Sequence, residues 1–532
     1  MRKPPKTIGR EETSFALSLI VSFGYSNGDS VPFQLSQPLT VPLRYFYPNS
    51  LCSQSMNDKS RHSTGQRKTN CIQMKTHKPI SPFRLSSLLR LQKDPKLAFQ
   101  LFLNPNPSSS KPPKPFRYSL LSYDLIISKL GRAKMFDEME EILHQLKQET
   151  RFAPHEVIFC NVISFYGRAR LPDRAFQVFD KIPSFRCKRT VKSANSLLDA
   201  LLKCREFEKM AEVFVGIGNY GSPDACTFNI LIHAACLCGD LDAAWDVFDE
   251  MQKRGVKPNV VTFGTMIYGL SLNFKLKEAL RLKEDMVRVY MISPNASIYA
   301  TLIKGLCGVG ELNWAFKLKE EMVTNKVKLD SAIYSTLISA LFKHGRKEEV
   351  SDILGEMEEN GCKPDTVTYN AMINGHCQEN DLESAQRLLD EMMAKGCKPD
   401  VISFNTIIRG LCKEGKWDKA KDLLEDMPRR GCPPDVVSYR ILFDGLCEML
   451  QLKEATSILD EMIFKGHVPR TESINKLVDR LCQGCNMELL WMVLKSLGRG
   501  NGMTVDTWAR VVAFVCKEKL SEASNLIDSL IS

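Results

Sequence analysis

A methionine closes an apolar-periodic segment at Met251, Met286, Met322, Met357, Met392, Met427 and Met462, at spacings of 35, 36, 35, 35, 35 and 35 residues. The words around it recur: DVFDEMQKRGVKPN, DILGEMEENGCKPD, RLLDEMMAKGCKPD, DLLEDMPRRGCPPD and SILDEMIFKGHVPR. A fixed period of this length means that each period is one supersecondary unit, which buries its apolar face only against its neighbours. The chain is therefore an array. The three or four globules that 532 residues suggest at about 150 residues each do not apply.

Each period reads as two helices. In residues 401–435, Phe404, Ile407, Ile408, Leu411 and Cys412 share one face of a first helix. Gly415 can take positive φ and end that helix, as can Gly239, Gly310 and Gly345, with Asn380 in the repeat between. A second helix buries Ala420, Leu423, Leu424 and Met427; its small residue recurs as Ala175, Ala244, Ala279, Ala315, Ala385 and Ala455. Gly431 and Pro434 stop it and turn the chain into the next repeat. The expected fold is all-α, a superhelical α-solenoid with an extended concave surface.

Charge is unevenly placed. The chain carries 72 basic and 62 acidic residues, net +10. Residues 1–119 hold 18 Lys/Arg against 5 Asp/Glu, so the rest is close to neutral at −3. Net charge thus makes no general polyanion binder of the array, and any such site must be local. No stretch reaches the roughly 18 apolar residues of a membrane span.

The period, the openings TYNAMINGHC and SFNTIIRGLC and the closing KGCKPD resemble the pentatricopeptide repeat family in its plain 35-residue form, of the plant organellar type. The tetratricopeptide repeat, with a period of about 34, is the nearest rival, but its Trp/Leu/Gly/Tyr signature is absent. On this match the repeats run 120–155, 156–190, 191–224, 225–259, 260–295, 296–330, 331–365, 366–400, 401–435, 436–470 and 471–504, with a partial one over 505–532. Residues 84–103 look like a degenerate hairpin, joined by a Pro/Ser-rich linker within 84–119.

The resemblance implies binding of single-stranded RNA, one base per repeat. The reading pair is the fifth residue of a repeat with its last, and the second residue packs against the base. Asn195 with Asp224, Asn370 with Asp400, and Asn405 with Asp435 then look like uracil readers. Asn229 with Asn259 looks like a cytosine reader, and Ser335 with Asp365 leans towards guanine. Asn offers a donor and an acceptor, Asp acceptors only, so such pairs can discriminate base edges. Cys226, Val261, Val367, Ile402 and Val437 are the stacking residues. Gly264 with Asn295 and Ala300 with Asp330 lack a reading group, and no base is assigned to Asp124 with His155, Cys160 with Thr190, Arg440 with Arg470, or Asn475 with Thr504. In chain order, repeats three to nine would read U-C-?-?-G-U-U. The alternative role for each asparagine is helix capping. Phosphate contacts are expected from Lys304, Lys343, Arg409 and Lys413 on first helices.

The cysteines Cys236, Cys307, Cys377, Cys412, Cys447 and Cys482 recur at the twelfth position, a whole repeat apart, which suits small apolar slots rather than zinc. Cys482 and Cys485 form one C-x-x-C without a second ligand pair. No catalytic, metal or cofactor motif stands out. The basic, acid-poor leader, residues 1–83, has the composition of a transit peptide, mitochondrial ahead of chloroplast, or of a disordered extension. The function expected is a non-catalytic RNA-binding adaptor in organelle mRNA processing, stability, splicing or translation, with recruited processing factors and no small-molecule substrate; a protein–protein scaffold is the alternative.

Overall fold

A computed structural model describes residues 80–105, 116–484, 486–499 and 504–518. Most of the leader, Cys485 and the end of the partial terminal repeat lie outside the described residues. Among those described the chain is all-α, without a strand. It divides into two compact units, Met1–Ile298 and Tyr299–Ser532.

The first unit opens with helices Pro82–Leu91 and Pro95–Leu103, each started by proline in its first turn and capped by Ser81 and Asp94. Five hairpins follow: Leu120–Arg132 with Phe136–Gln148, Glu156–Arg168 with Pro172–Lys181, Val191–Cys204 with Phe207–Val215, Ala225–Cys238 with Leu241–Lys253, and Val260–Leu272 with Leu276–Arg288. The second unit holds Leu312–Thr324 beside helix Ala296–Val309, then Ser331–Lys343 with Val350–Glu359, Thr366–Gln378 with Leu382–Ala394, Val401–Lys413 with Trp417–Asp426, Val436–Glu448 with Leu452–Phe464, and Thr471–Gln483 with Met487–Arg499. Helix Val505–Glu518 ends the described chain. Within each unit a first helix packs on its own second helix and on the first helix of the next repeat, the construction of an α-solenoid.

The recurring methionines are the centre of this packing. Met251, Met286, Met322, Met357, Met392, Met427 and Met462 are all wholly buried, as are Ala175, Ala244, Ala279, Ala315, Ala385, Ala420 and Ala455. An alanine at that crossing lets helix backbones close up. Repeat 331–365 has Val350 there instead, and its second helix begins with a 3-10 turn, Lys347–Glu349. Gly239, Gly310, Gly345 and Gly415 take φ of +80°, +90°, +70° and +76°, and Asn380 takes +60°.

Most first helices also carry an aromatic ring in the opening turn, Ala194 and Ile474 standing in its place in two of them. Phe159, Phe228, Phe263, Tyr299, Tyr334, Tyr369, Phe404 and Tyr439 are almost wholly buried. The tyrosines donate to a glutamate near the end of the same hairpin: Tyr299 to Glu321 at 2.8 Å and Tyr439 to Glu461 at 2.8 Å. Burial pushes the Tyr299 phenol up to about 12, so it stays a donor.

Candidate nucleic-acid interface

The last residue of a repeat begins the next first helix as its N-cap. Asp224, Asn259, Asp330, Asp365, Asp400 and Asp435 have extended backbone, and their side chains accept amide N–H groups from the first turn. Capping therefore belongs to the last position. The fifth-position asparagines lie inside the helices and cap nothing.

Two of the uracil-type pairs are in direct contact. Asn195 Nδ2 donates to Asp224 Oδ1 at 2.9 Å, and Asn370 Nδ2 donates to Asp400 Oδ1 at 3.1 Å. A third residue joins each pair, and sequence reasoning missed it. Thr227 Oγ1 donates to Asn195 Oδ1 at 2.7 Å, and Ser403 Oγ donates to Asn370 Oδ1 at 2.5 Å. The same hydroxyls accept the backbone N–H of Asp224 and Asp400, closing a capping box. The three-residue spacing of Asp224 and Thr227, or Asp400 and Ser403, was the signal available.

Asn405 differs although its neighbours match. Ser438 Oγ turns to Asp435 Oδ1 at 3.0 Å, and among the described residues Asn405 Oδ1 is buried without a hydrogen-bond partner. Asn229 Oδ1 is buried in the same state, while Asn259 accepts from Val261 and Thr262 of its own helix. Ser335 Oγ donates to the Ser331 carbonyl at 2.6 Å rather than to Asp365, whose Oδ2 accepts from Ser331 Oγ. Burial would raise the Asp365 carboxyl, but hydrogen bonds from Ser331 and Thr368 hold it below its usual range.

The second-position side chains are exposed or half-buried. Val367, Ile402 and Val437 are 57%, 62% and 44% exposed, Cys226 is exposed and Val261 is half-buried. Each sits three residues before the fifth position, hence on the same helix face. Lys304, Lys343, Arg409 and Lys413 are exposed at the ninth or thirteenth position, which continues that face by further turns. Lys343 Nζ also reaches the Gly308 carbonyl at 3.4 Å, and partial desolvation lowers the Lys304 ammonium. In the first compact unit the same row carries His233 edge-to-face on Tyr268 at 5.8 Å, with burial pushing the His233 pKa down. Sequence reasoning did not single out that aromatic pair.

Elsewhere the reading positions do other things. Arg440 donates through Nε and Nη2 to the Val468 carbonyl at 3.1 and 2.6 Å, and Arg470 lies 3.8 Å from Asp444. Asn475 pairs with Asp506 Oδ2 at 2.6 Å rather than with Thr504, and Thr507 Oγ1 donates to its Oδ1 at 2.7 Å. Burial raises the Asp124 carboxyl, against the opposing charge of His155. Among the described residues no cluster of three or more His, Cys, Asp or Glu could hold a metal, and no helix is long and apolar enough to cross a membrane.

The PPR repeat family model matches residues 223–272, 329–378, 364–413 and 399–448, and PPR repeat models match 290–323 and 121–150, 157–187, 261–289 and 437–467. The chain is similar to a pentatricopeptide repeat-containing protein of Arabidopsis thaliana, 57% identical over 184 residues, 35% of this chain and 39% of that protein. A mitochondrial pentatricopeptide repeat-containing protein of the same plant is 38% identical over 143 residues, 26% of this chain and 35% of that one. The chain thus spans well under half the length of these curated relatives. The crystal structure of the pentatricopeptide repeat protein PPR10 from maize is 20% identical, with 80% of this chain and 70% of that one covered at a TM-score of 0.40. With hairpins at the 35-residue period, and repeat matches over more than half its length, the chain belongs to the pentatricopeptide repeat family.

Proposed function

We propose that this chain is a non-catalytic, sequence-specific adaptor for single-stranded RNA, taking one base per repeat. The observation that carries this reading is the arrangement at Asn370. Its amide is held against the Asp400 cap, on the same helix face as the exposed Val367. A fixed polar edge beside a sequence-tolerant apolar surface is what reading one unstacked base requires. On this reading Asn195/Asp224, Asn370/Asp400 and Asn405/Asp435 select uracil, Asn229/Asn259 cytosine and Ser335/Asp365 guanine. Lys304, Lys343, Arg409 and Lys413 meet phosphates. Occupying one RNA segment blocks an exonuclease or a hairpin, so binding alone suffices for a role in transcript processing, stability, splicing or translation. Several relatives carry mitochondrial names, which supports a mitochondrial site of action ahead of a chloroplast one.

Selection from a randomised single-stranded RNA pool tests the proposal. The expected result is a motif containing uracil and cytosine in the order above, and Asn370→Thr shifts one nucleotide of it from uracil towards guanine. Absence of any enriched motif at low salt sinks the RNA reading and leaves a groove for an extended peptide.

A further inference from the structure

The orientation of the Asn370 amide is set jointly by the last residue of its own repeat and by a hydroxyl of the next. Asp400 offers only acceptors, so the amide nitrogen of Asn370 must face it, as it does at 3.1 Å. Ser403 Oγ already accepts the Asp400 N–H at 3.2 Å, which leaves its own proton to donate. Its nearer acceptor is Asn370 Oδ1 at 2.5 Å, the farther one Asp400 Oδ1 at 3.1 Å. A half-turn of the amide would set oxygen against carboxylate oxygen and forfeit the hydroxyl bond as well. The amide is thereby locked, with one N–H and one lone pair left over in a fixed order. Asn195 is locked the same way by Asp224 and Thr227, and Asn475 by Asp506 and Thr507.

Uracil and cytosine differ on their Watson–Crick edges by an exchange of donor and acceptor: N3–H and O4 in the first, N3 and the N4 amino group in the second. A locked amide suits one order, whereas an amide free to turn serves both. Building on the proposed RNA function, we infer that the hydroxyl at the third position of the following repeat (Ser403, Thr227 and Thr507) is a positioning residue that sets the choice between uracil and cytosine. The ninth repeat supplies the contrast. Asn405, Asp435 and Ser438 repeat the residues of Asn370, Asp400 and Ser403, yet Ser438 donates to Asp435 and Asn405 Oδ1 has no partner among the described residues.

The test uses the full-length chain and synthetic single-stranded RNAs of the selected motif, with uracil or cytosine at one nucleotide. The nucleotides read by repeats eight and nine are those whose preference moves in Asn370→Thr and Asn405→Thr. Ser403→Ala is expected to lower the uracil-over-cytosine affinity ratio about fivefold at the eighth-repeat nucleotide, one hydrogen bond's worth, with ratios elsewhere unchanged. Ser403→Thr restores it, and Ser438→Ala leaves the ninth-repeat ratio within about twofold. A uniform loss of affinity with the ratio intact, or equal losses of ratio in Ser403→Ala and Ser438→Ala, overturns the inference, since either reflects capping alone. The wild-type chain adds a measurement free of folding effects: discrimination must be stronger at the eighth nucleotide than at the ninth, and the reverse order overturns the inference. A wild-type chain with no base preference at any nucleotide instead strikes down the underlying RNA proposal.

Discussion

Leu450 and Phe274 have φ of +58° and +60°, the left-handed conformation that Gly239 and Gly415 adopt at the same turn. A β-carbon there meets the carbonyl that follows, and these residues are held by the packing of the two helices they join. Leu450 is 55% exposed and gives up little packing if replaced. Leu450→Gly is therefore expected to stabilise the chain by about 0.5–1 kcal/mol, read as a higher urea midpoint at unchanged slope. The glycines and Asn380 at this turn were legible from residue type alone. Phe274, Leu450 and Arg205 were not, because nothing in their chemistry asks for positive φ. The fifth-position asparagines divide likewise. Residue type placed Asn195, Asn370 and Asn405 at fifth positions, but not which of them touches its aspartate.

Between neighbouring first helices the closest approach is made by a glycine at the tenth position against the twelfth residue of the repeat before. A β-carbon on Gly445 would lie 2.7 Å from Cys412 Cβ, and one on Gly269 would lie 2.0 Å from Cys236 Sγ. Three of the recurring cysteines, Cys236, Cys377 and Cys412, fill slots opened by the facing glycines Gly269, Gly410 and Gly445. Burial pushes Cys236 and Cys447 up to about 12, consistent with packing groups rather than reactive thiolates. Gly445→Ala must displace Cys412 or the helix itself, at a cost of about 1–3 kcal/mol, and a drop in melting temperature checks it. The hairpins could be read from apolar spacing because each period repeats one burial pattern. The tyrosine-to-glutamate ties at Tyr299 and Tyr439 could not, since they join residues 22 apart whose meeting depends on how the hairpin closes.

At the scale of the whole chain, the basic excess sits in residues 1–119 and the remainder is near neutral, so the proposed RNA affinity of the array must come from a local row of cations rather than from net charge. With roughly four phosphate contacts, at a single-strand slope of about −0.7 per contact, raising salt from about 50 to 200 mM should weaken RNA binding about fiftyfold. Replacing Lys304, Lys343, Arg409 and Lys413 together by alanine should flatten that slope, and an unchanged slope would place the phosphate contacts elsewhere. What the sequence determined by itself was the period, the paired helices, the buried methionines and alanines, and which residues stand at the fifth and last positions of each repeat. These follow from local chemistry and from a burial pattern that each repeat carries whole. Tertiary structure decided the division at Ile298, the pairing of Asn475 with Asp506 rather than Thr504, and the locking of Asn370 while Asn405 keeps an unpaired oxygen. Those outcomes turn on how closely one repeat seats on the next: a hydroxyl proton goes to whichever acceptor lies a few tenths of an ångström nearer, and no spacing along the chain encodes so small a difference.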